Sequence, residues 1–447
     1  MTAPPAVTIV GAGPVGSLMA VFLARRGYPV TIHERRPDMR CVAIPAGRSI
    51  NLALANRGIH ALEAAGLMGA VRRQLIPMRG RMVHLADGAQ QLQPYGNKPH
   101  EVIWSAARGA LNAILLDAAE AAGATVRFAN RCAAVDFPRK RLALIDEATG
   151  ARSEAAFDVA IGADGSFSAV RDAIAAATGG TVREDRLGHG YKELAIPPAP
   201  GGGFRMERNA LHIWPRGGFM LIALPNLDGS FTATLFLPTE GRDSFATLGS
   251  ADAVAAFFAA NFADAMPLID DLPGSFLRNP TGALGTIRCR PWHFGGDAVL
   301  IGDAAHAIVP FHGQGMNAGF EDCVALDRRI AEHGGDLAAA FAAFETARKP
   351  YAEAIADMAL ENYVEMRDAV RDPGFLLRRA LAWKLEELYP DRFVPRYSMV
   401  MFHLLPYAEA WRRGRIQAEI LAELTATARG LDEIDMTRAR RLVEEKL

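Results

Sequence analysis

Three glycines and an acid carry the first chemistry in this 447-residue chain. Gly11-Ala12-Gly13-Pro14-Val15-Gly16 follows a short apolar run and opens a helix-like stretch. In G-x-G-x-x-G the first glycine permits a tight turn. The second lets backbone N–H groups approach a pyrophosphate, and the third lets helix and strand pack closely. The positive end of the helix then faces the phosphates. Glu34 stands 18 residues past Gly16, at the end of the next strand-like run, where a carboxylate can hold both hydroxyls of an adenosine ribose. That carboxylate repels a 2′-phosphate, which disfavours NADP at this particular site. Arg35 and Arg36 follow, a pair of a kind common on surfaces.

Two further motifs separate nicotinamide from flavin dinucleotides. Ala163-Asp164-Gly165-Ser166 ends one strand-like run, and Ser168 to Arg171 continues into a helix. Val299-Leu-Ile-Gly302-Asp303-Ala-Ala-His306 ends another, followed by Pro310 and Gly313-Gln314-Gly315-Met316-Asn317. A strand ending in Gly302-Asp303 places one carboxylate at a ribitol hydroxyl. A helix starting near Gly315 aims N–H groups at the pyrimidine edge of an isoalloxazine, where reduction deposits negative charge. As a set these motifs predict bound FAD. Gly201-Gly202-Gly203 has no strand before it and reads as a turn, so the nicotinamide has no domain of its own. The flavin must therefore serve two partners in turn, which requires a flavin or loop that moves. No metal is expected, because His293, His306 and His312 lack ligand spacing and acidic neighbours. His306 reads as a packing residue.

Glycine punctuation and periodicity give the elements that must hold these motifs. Residues 6–10 read as a strand, 17–26 as a helix stopped by Gly27, and 29–33 as a second strand, one β-turn-α-β unit. Residues 107–122 read as a helix, with strands at 125–128, 157–161 and 298–301. Between about 181 and 286 the texture changes to aromatic, β-branched runs at 210–214, 219–223 and 230–237, punctuated by Pro and Gly. A helical pattern at 251–262 interrupts them, and from 337 onward the pattern is helical. The expected fold is α/β plus α+β: a Rossmann-like FAD-binding domain, an inserted antiparallel-sheet substrate domain and a C-terminal helical region. The first is assembled from 1–75, 101–180 and 287–345, the second from 76–100 and 181–286. The third, 346–447, closes the substrate pocket.

Composition excludes other classes. Half the residues are hydrophobic and 22% charged, which excludes a disordered or fibrous chain. A net charge of −1 offers no electrostatic footprint for nucleic acid. The cysteines, Cys41, Cys132, Cys289 and Cys323, form no C-x-x-C pair and suit a reducing compartment. No basic-then-apolar leader opens the chain, and no apolar run is long enough to span a membrane, so a cytoplasmic location is expected.

The three motifs, in this order and spacing, resemble the FAD-dependent aromatic hydroxylases of the p-hydroxybenzoate hydroxylase type over residues 6 to about 345. Further stretches, 47–58, 77–84, 211–216, 308–323 and Glu361-Asn-Tyr-Val-Glu-Met-Arg367, resemble the kynurenine 3-monooxygenase family to about Leu405. That resemblance implies hydroxylation of L-kynurenine ortho to its ring amino group, using NADPH, O2 and bound FAD through a hydroperoxide at flavin C4a. It also implies Arg81 and Tyr95 at the substrate carboxylate, with Asn362, Glu365 and Tyr397 facing the substrate. Arg108, Asp303, Met316 and Asn317 fall on FAD contacts, with Val15, Glu34, Arg35 and Ala53 around the adenosine half, and Cys132 counted among the cofactor-binding residues.

Parts of this agree with physical expectation. A guanidinium forks onto a carboxylate, and Asn362 and Glu365, at i and i+3, share a helix face. On residue type alone Arg79 has the same parity as Arg81 and could do the same job. Two departures stand out. His312, counted here as substrate-facing, replaces the Phe of eukaryotic members and puts a polar group beside the flavin edge. Those members also carry a C-terminal membrane helix, whereas 411–447 here is charged and helical. A homodimer is compatible with this reading. The rivals are a hydroxylase of another aromatic acid and a flavin dehydrogenase or reductase that never activates oxygen.

Overall fold

The computed structural model describes residues 4–42, 51–367 and 372–447, so residues 47–50 of the 47–58 stretch lie outside it. The chain forms two compact units. The first is Met1–Leu75, Ser105–Gly188 and Ala283–Ala356, and the second is Ile76–Trp104, His189–Gly282 and Asp357–Leu447.

The first unit is built on a six-stranded sheet in the order His293–Phe294, Ala298–Leu300, Val159–Gly162, Val7–Val10, Val30–His33, Thr125–Arg127. All neighbours are parallel except the first pair. Val7–Val10 and Val159–Gly162 are buried along their whole length, which is why they read as continuous apolar runs without alternation. Helix Pro14–Arg25, begun by a proline whose missing N–H costs nothing there, packs on Arg108–Ala121 and Gly315–Glu332. A second, three-stranded antiparallel sheet, Asn130–Asp136, Arg141–Asp146 and Arg152–Ala156, was not foreseen from the sequence. Its outer strands carry mostly charged or small residues with little apolar alternation.

The second unit carries a larger sheet. From His189 onward strand Thr181–Ile196 pairs with Phe231–Pro238, then follow Met220–Pro225, Ala210–Pro215, Gly80–His84 and Gln90–Pro94. The expected antiparallel sheet is in fact mixed. Gly80–His84 runs parallel to Ala210–Pro215, because it arrives from a separate segment and not through a hairpin. Trp214, Phe231, Phe258 and Phe262 are buried between the sheet and helix Ala251–Asn261. Each such ring contributes about 1.5–3 kcal/mol by leaving water. The C-terminal helices Pro373–Leu388, Tyr407–Thr425 and Met436–Lys446 share a core of Leu381, Leu385, Phe393, Ile420 and Val443. Among the described residues no helix is long and apolar enough to cross a membrane.

One buried polar chain in this unit predicts a pH response. His212 Nε2 donates to the Glu207 carbonyl at 2.9 Å, so its Nδ1 accepts from His84 Nε2, also at 2.9 Å. His84 Nδ1 in turn faces Asp264 at 3.0 Å. Burial, aided by the neighbouring His84, lowers the His212 imidazole to about 4. The unfolded chain takes that proton near pH 6.5, whereas the folded one resists it until about pH 4. Stability is therefore lost as pH falls through this window, by about 3 kcal/mol at most. Thermal melts from pH 7 to 4 should show the midpoint falling more steeply in the native protein than in His212→Gln. Equal slopes would assign the pH response to other groups.

Candidate active site

In the first unit the three glycine motifs meet. Gly11 has φ +104°, and a Cβ placed on it would lie 2.4 Å from the Ala163 carbonyl oxygen, while one on Gly16 would lie 2.0 Å from the Gly11 oxygen. Both positions accept only glycine. Gly13 has no atom within 4 Å of such a Cβ, so the backbone between them is open to a guest. The third motif closes on the first through Val15, which lies against Gly302 and Gly319. A Cβ on Gly315 would stand 3.8 Å from Asp303 Oδ1, so the carboxylate and the start of helix Gly315–Glu332 share one spot.

Glu34 is buried, with Oε2 accepting from Ala12 N at 2.8 Å. Its Oε1 accepts from Arg36 N at 2.9 Å and Arg36 Nε at 2.8 Å. Burial opposes ionisation, but Arg36 and the backbone donors outweigh it and hold this carboxyl below its usual range. The arginine bonded to Glu34 is thus Arg36, although Arg35 and Arg36 are both exposed. Nothing in the sequence distinguished the two. Asn112 donates to Ala12 O at 2.9 Å, fixing the phosphate turn from behind.

Asp164 accepts from Ala169 N at 2.8 Å, and burial pushes its carboxyl up. Its Oδ1 is buried without a partner, as is Asn112 Oδ1. Burial also pushes the Cys132 thiol up to about 12, with Asp164's charge adding to it. Asn317 accepts from Ala55 N at 2.9 Å and donates to Ala53 O at 2.8 Å and Gly313 O at 2.7 Å, tying the segment after residue 50 to the third motif. Asp303 is exposed to solvent yet has protein packed around it. That surrounding protein raises its carboxyl, while His306 and Arg108 pull it down. Pro310 is exposed and His312 buried on the short turn Pro310–His312, within this same unit. An orphaned acceptor beside open glycine backbone, a buried acid at the end of the second strand, an aspartate in the third motif and a helix start form a donor and acceptor set that FAD can use. The residues fit the group. Among the described residues no cluster could hold a metal ion.

The second unit gathers a different set. Arg81 is buried on strand Gly80–His84, while Arg79 is exposed, which separates two residues the sequence left equivalent. The Arg81 guanidinium carbon lies 5.6 Å from the Tyr95 ring centre and 5.2 Å from that of Tyr397. The two rings stack at 5.7 Å. Arg81 Nη1 meets Glu365 Oε1 at 3.2 Å. Burial opposes the guanidinium charge, but Tyr397, Glu365 and Tyr95 outweigh it and the group is held charged. Glu365 and the buried Asn362 lie on helix Leu337–Arg367, and Asn362 Nδ2 also contacts Met366 Sδ at 3.3 Å.

One member of this cluster was missed. Arg379, on helix Pro373–Leu388, donates to Gln93 Oε1 at 2.8 Å and to the Pro94 carbonyl. Burial, then the charge of Arg81, lowers its pKa. In the sequence it sits in Leu-Arg-Arg-Ala, where it looks like a solvated helix face.

Residues 5–359 match the family model described as FAD binding domain. Kynurenine 3-monooxygenase of Stenotrophomonas maltophilia (strain K279a) is 53% identical over 431 residues, 96% of this chain and 94% of that protein. The enzyme of the same name from Myxococcus xanthus (strain DK1622) is 50% identical over 442 residues, 99% and 95% of the two chains. Among solved structures, 2-methyl-3-hydroxypyridine-5-carboxylic acid oxygenase superposes with a TM-score of 0.65 at 20% identity, over 84% of this chain and 96% of that one. PqsL of P. aeruginosa in complex with 2-aminobenzoylacetate gives 0.65 at 20%, over 83% and 99%. These last two establish the fold. With half its residues shared over nearly the full length of both chains, this chain belongs to the kynurenine 3-monooxygenase family of FAD-binding aromatic hydroxylases.

Proposed function

We propose that the protein hydroxylates L-kynurenine to 3-hydroxy-L-kynurenine, taking electrons from NADPH and one oxygen atom from O2. The observation that carries the substrate reading is Arg81: a buried cation, walled by two tyrosines, with one carboxylate contact among the described residues, at 3.2 Å. Such a group suits the carboxylate of an amino acid, and an arginine fork holds it in one orientation. Tyr95 and Tyr397 present aromatic faces to the same place, and Arg379 adds a second cation.

Bound FAD supplies the redox and oxygen chemistry, which no side chain here can provide. Glu34 would hold its adenosine ribose, the Gly11–Gly16 turn its pyrophosphate, Asp303 its ribitol, and the N–H groups at Gly315 to Asn317 its pyrimidine edge. The aniline nitrogen already activates the kynurenine ring, so the protein needs no nucleophile of its own. Its residues orient the ring by its carboxylate, keep water from the reacting atoms and present fixed dipoles where charge develops. We place the enzyme in the cytoplasm, in keeping with Cys41, Cys132, Cys289 and Cys323 all being free thiols.

The test is to incubate the purified yellow protein with NADPH and air, with and without L-kynurenine, and to weigh the product. A species heavier by one oxygen, formed as kynurenine accelerates NADPH loss, supports the reading. Acceleration with kynurenine returned unchanged would make it a trigger and not the substrate.

A further inference from the structure

Behind Gly302-Asp303 lies a tier of buried charges that flavin binding does not itself use. Asp322 is fully buried on helix Gly315–Glu332. Its Oδ2 accepts from Gly302 N at 2.9 Å and faces His306 Nε2 at 2.6 Å, while Oδ1 accepts from Arg348 Nε at 2.8 Å. Arg348 also donates to Glu321 at 2.7 Å, and Arg57 reaches the other oxygen of Glu321 at 2.7 Å. His306, Arg348 and Arg57 are themselves buried.

Gly302 and His306 bracket the single helical turn Asp303–His306. One carboxylate thus grips both ends of the turn that carries Asp303. The turn's other anchors are backbone and neutral contacts: Gly302 O accepts from Ala305 N at 2.9 Å and His306 N at 3.0 Å, and Cys289 Sγ donates to Ala305 O at 3.2 Å. Gly302 has φ 59° and ψ −143°, a backbone state open to glycine and held only by its surroundings. Burial disfavours charge on both partners, yet His306 and Arg348 hold the Asp322 carboxyl down at about 2, and Asp322 raises the His306 imidazole. A charge-assisted contact between helix and turn follows.

We infer that Asp322 is a positioning residue for the flavin ribitol: by holding Gly302 N–H and the His306 imidazole together, it fixes where Asp303 presents its carboxylate. His306 is the second strut of that clamp, and not the passive packing residue its sequence suggested. The inference rests on the flavin site described above.

The test is a double-mutant cycle on FAD affinity, read by titrating apoprotein with FAD and following flavin fluorescence. Asp322→Asn keeps the shape but loses the charge, and FAD should bind about ten- to one-hundred-fold more weakly. Asp303→Ala alone should also weaken it. If Asp322 acts through Asp303, the double variant should bind no worse than Asp303→Ala, within about twofold. Additive losses would make Asp322 merely structural and overturn the inference, as would native affinity in Asp322→Asn. Should that variant not fold, His306→Ala leaves the Asp322–Arg348 pair intact and carries the same cycle, in which additive losses or native affinity again overturn the inference. Native apoprotein that refuses FAD altogether would remove the flavin site and this inference with it, whereas a normal native titration with an additive cycle removes the inference alone.

Discussion

Arg81→Ala should weaken L-kynurenine binding about 100-fold or more while leaving FAD in place. Arg81 is only 6% exposed, so solvent has little access to take its place when it is removed. Truncating one partner of a buried, hydrogen-bonded charge pair typically costs about 2–5 kcal/mol, or roughly 30- to several-thousand-fold in affinity. Part of that cost is the stranded partner, the kynurenine carboxylate left against two tyrosine rings. Arg81→Lys should recover little, because an ammonium cannot fork onto both carboxylate oxygens. Titrating kynurenine into the yellow protein and following the flavin spectrum gives the number. Unchanged affinity would move the carboxylate to Arg379 or Arg79.

Gly11→Ala should give colourless protein. The new methyl group would sit 2.4 Å from the Ala163 carbonyl oxygen at a φ of +104°, so both the contact and the backbone state are wrong. The turn must open, and opening it displaces the N–H groups meant for the pyrophosphate. Gly27→Ala is the control, with φ +87° but no atom within 4 Å of the added carbon. It should lower stability by about 1–2 kcal/mol through backbone strain alone and stay yellow. The ratio of flavin to protein absorbance and a thermal melt separate the two variants. Full flavin content in Gly11→Ala would mean that the turn relaxes without losing the cofactor.

The parallel sheet of the first unit was legible because glycines punctuate it and its central strands are largely apolar and buried. Strand 6–10, helix 17–26 and strand 29–33 were all read within a few residues of Val7–Val10, Pro14–Arg25 and Val30–His33. The sheet around Arg141–Asp146 was invisible, since its flanking strand Arg152–Ala156 is polar and mostly exposed and alternates weakly. Flavin motifs announce themselves through spacing, so Asp164 and Asp303 stand out in the sequence as candidates. Buried charges do not. Asp322, Arg348 and Arg379 lie on helices whose sequences look like solvated faces, and only the fold shows which side of each helix is covered. Arg79 and Arg81 differ by one pleat repeat, and burial alone tells them apart.

The contact between Arg81 and Glu365 changes what kind of event ligand capture is. On the proposed reading, an arriving carboxylate would meet a cation already tethered by Glu365, and capture would become an exchange of anions at a fixed local concentration. Apparent affinity is the intrinsic affinity multiplied by the fraction of time Glu365 has let go. Removing the tether's charge, as in Glu365→Gln, should tighten binding of a simple aryl carboxylate that lacks an ammonium group. The α-ammonium of an amino acid gives the released Glu365 somewhere to go, so the amino acid should gain less from the same change. A pocket that keeps its own anion thereby screens small carboxylates from the cell's much larger pool, and favours guests that return a positive charge in trade.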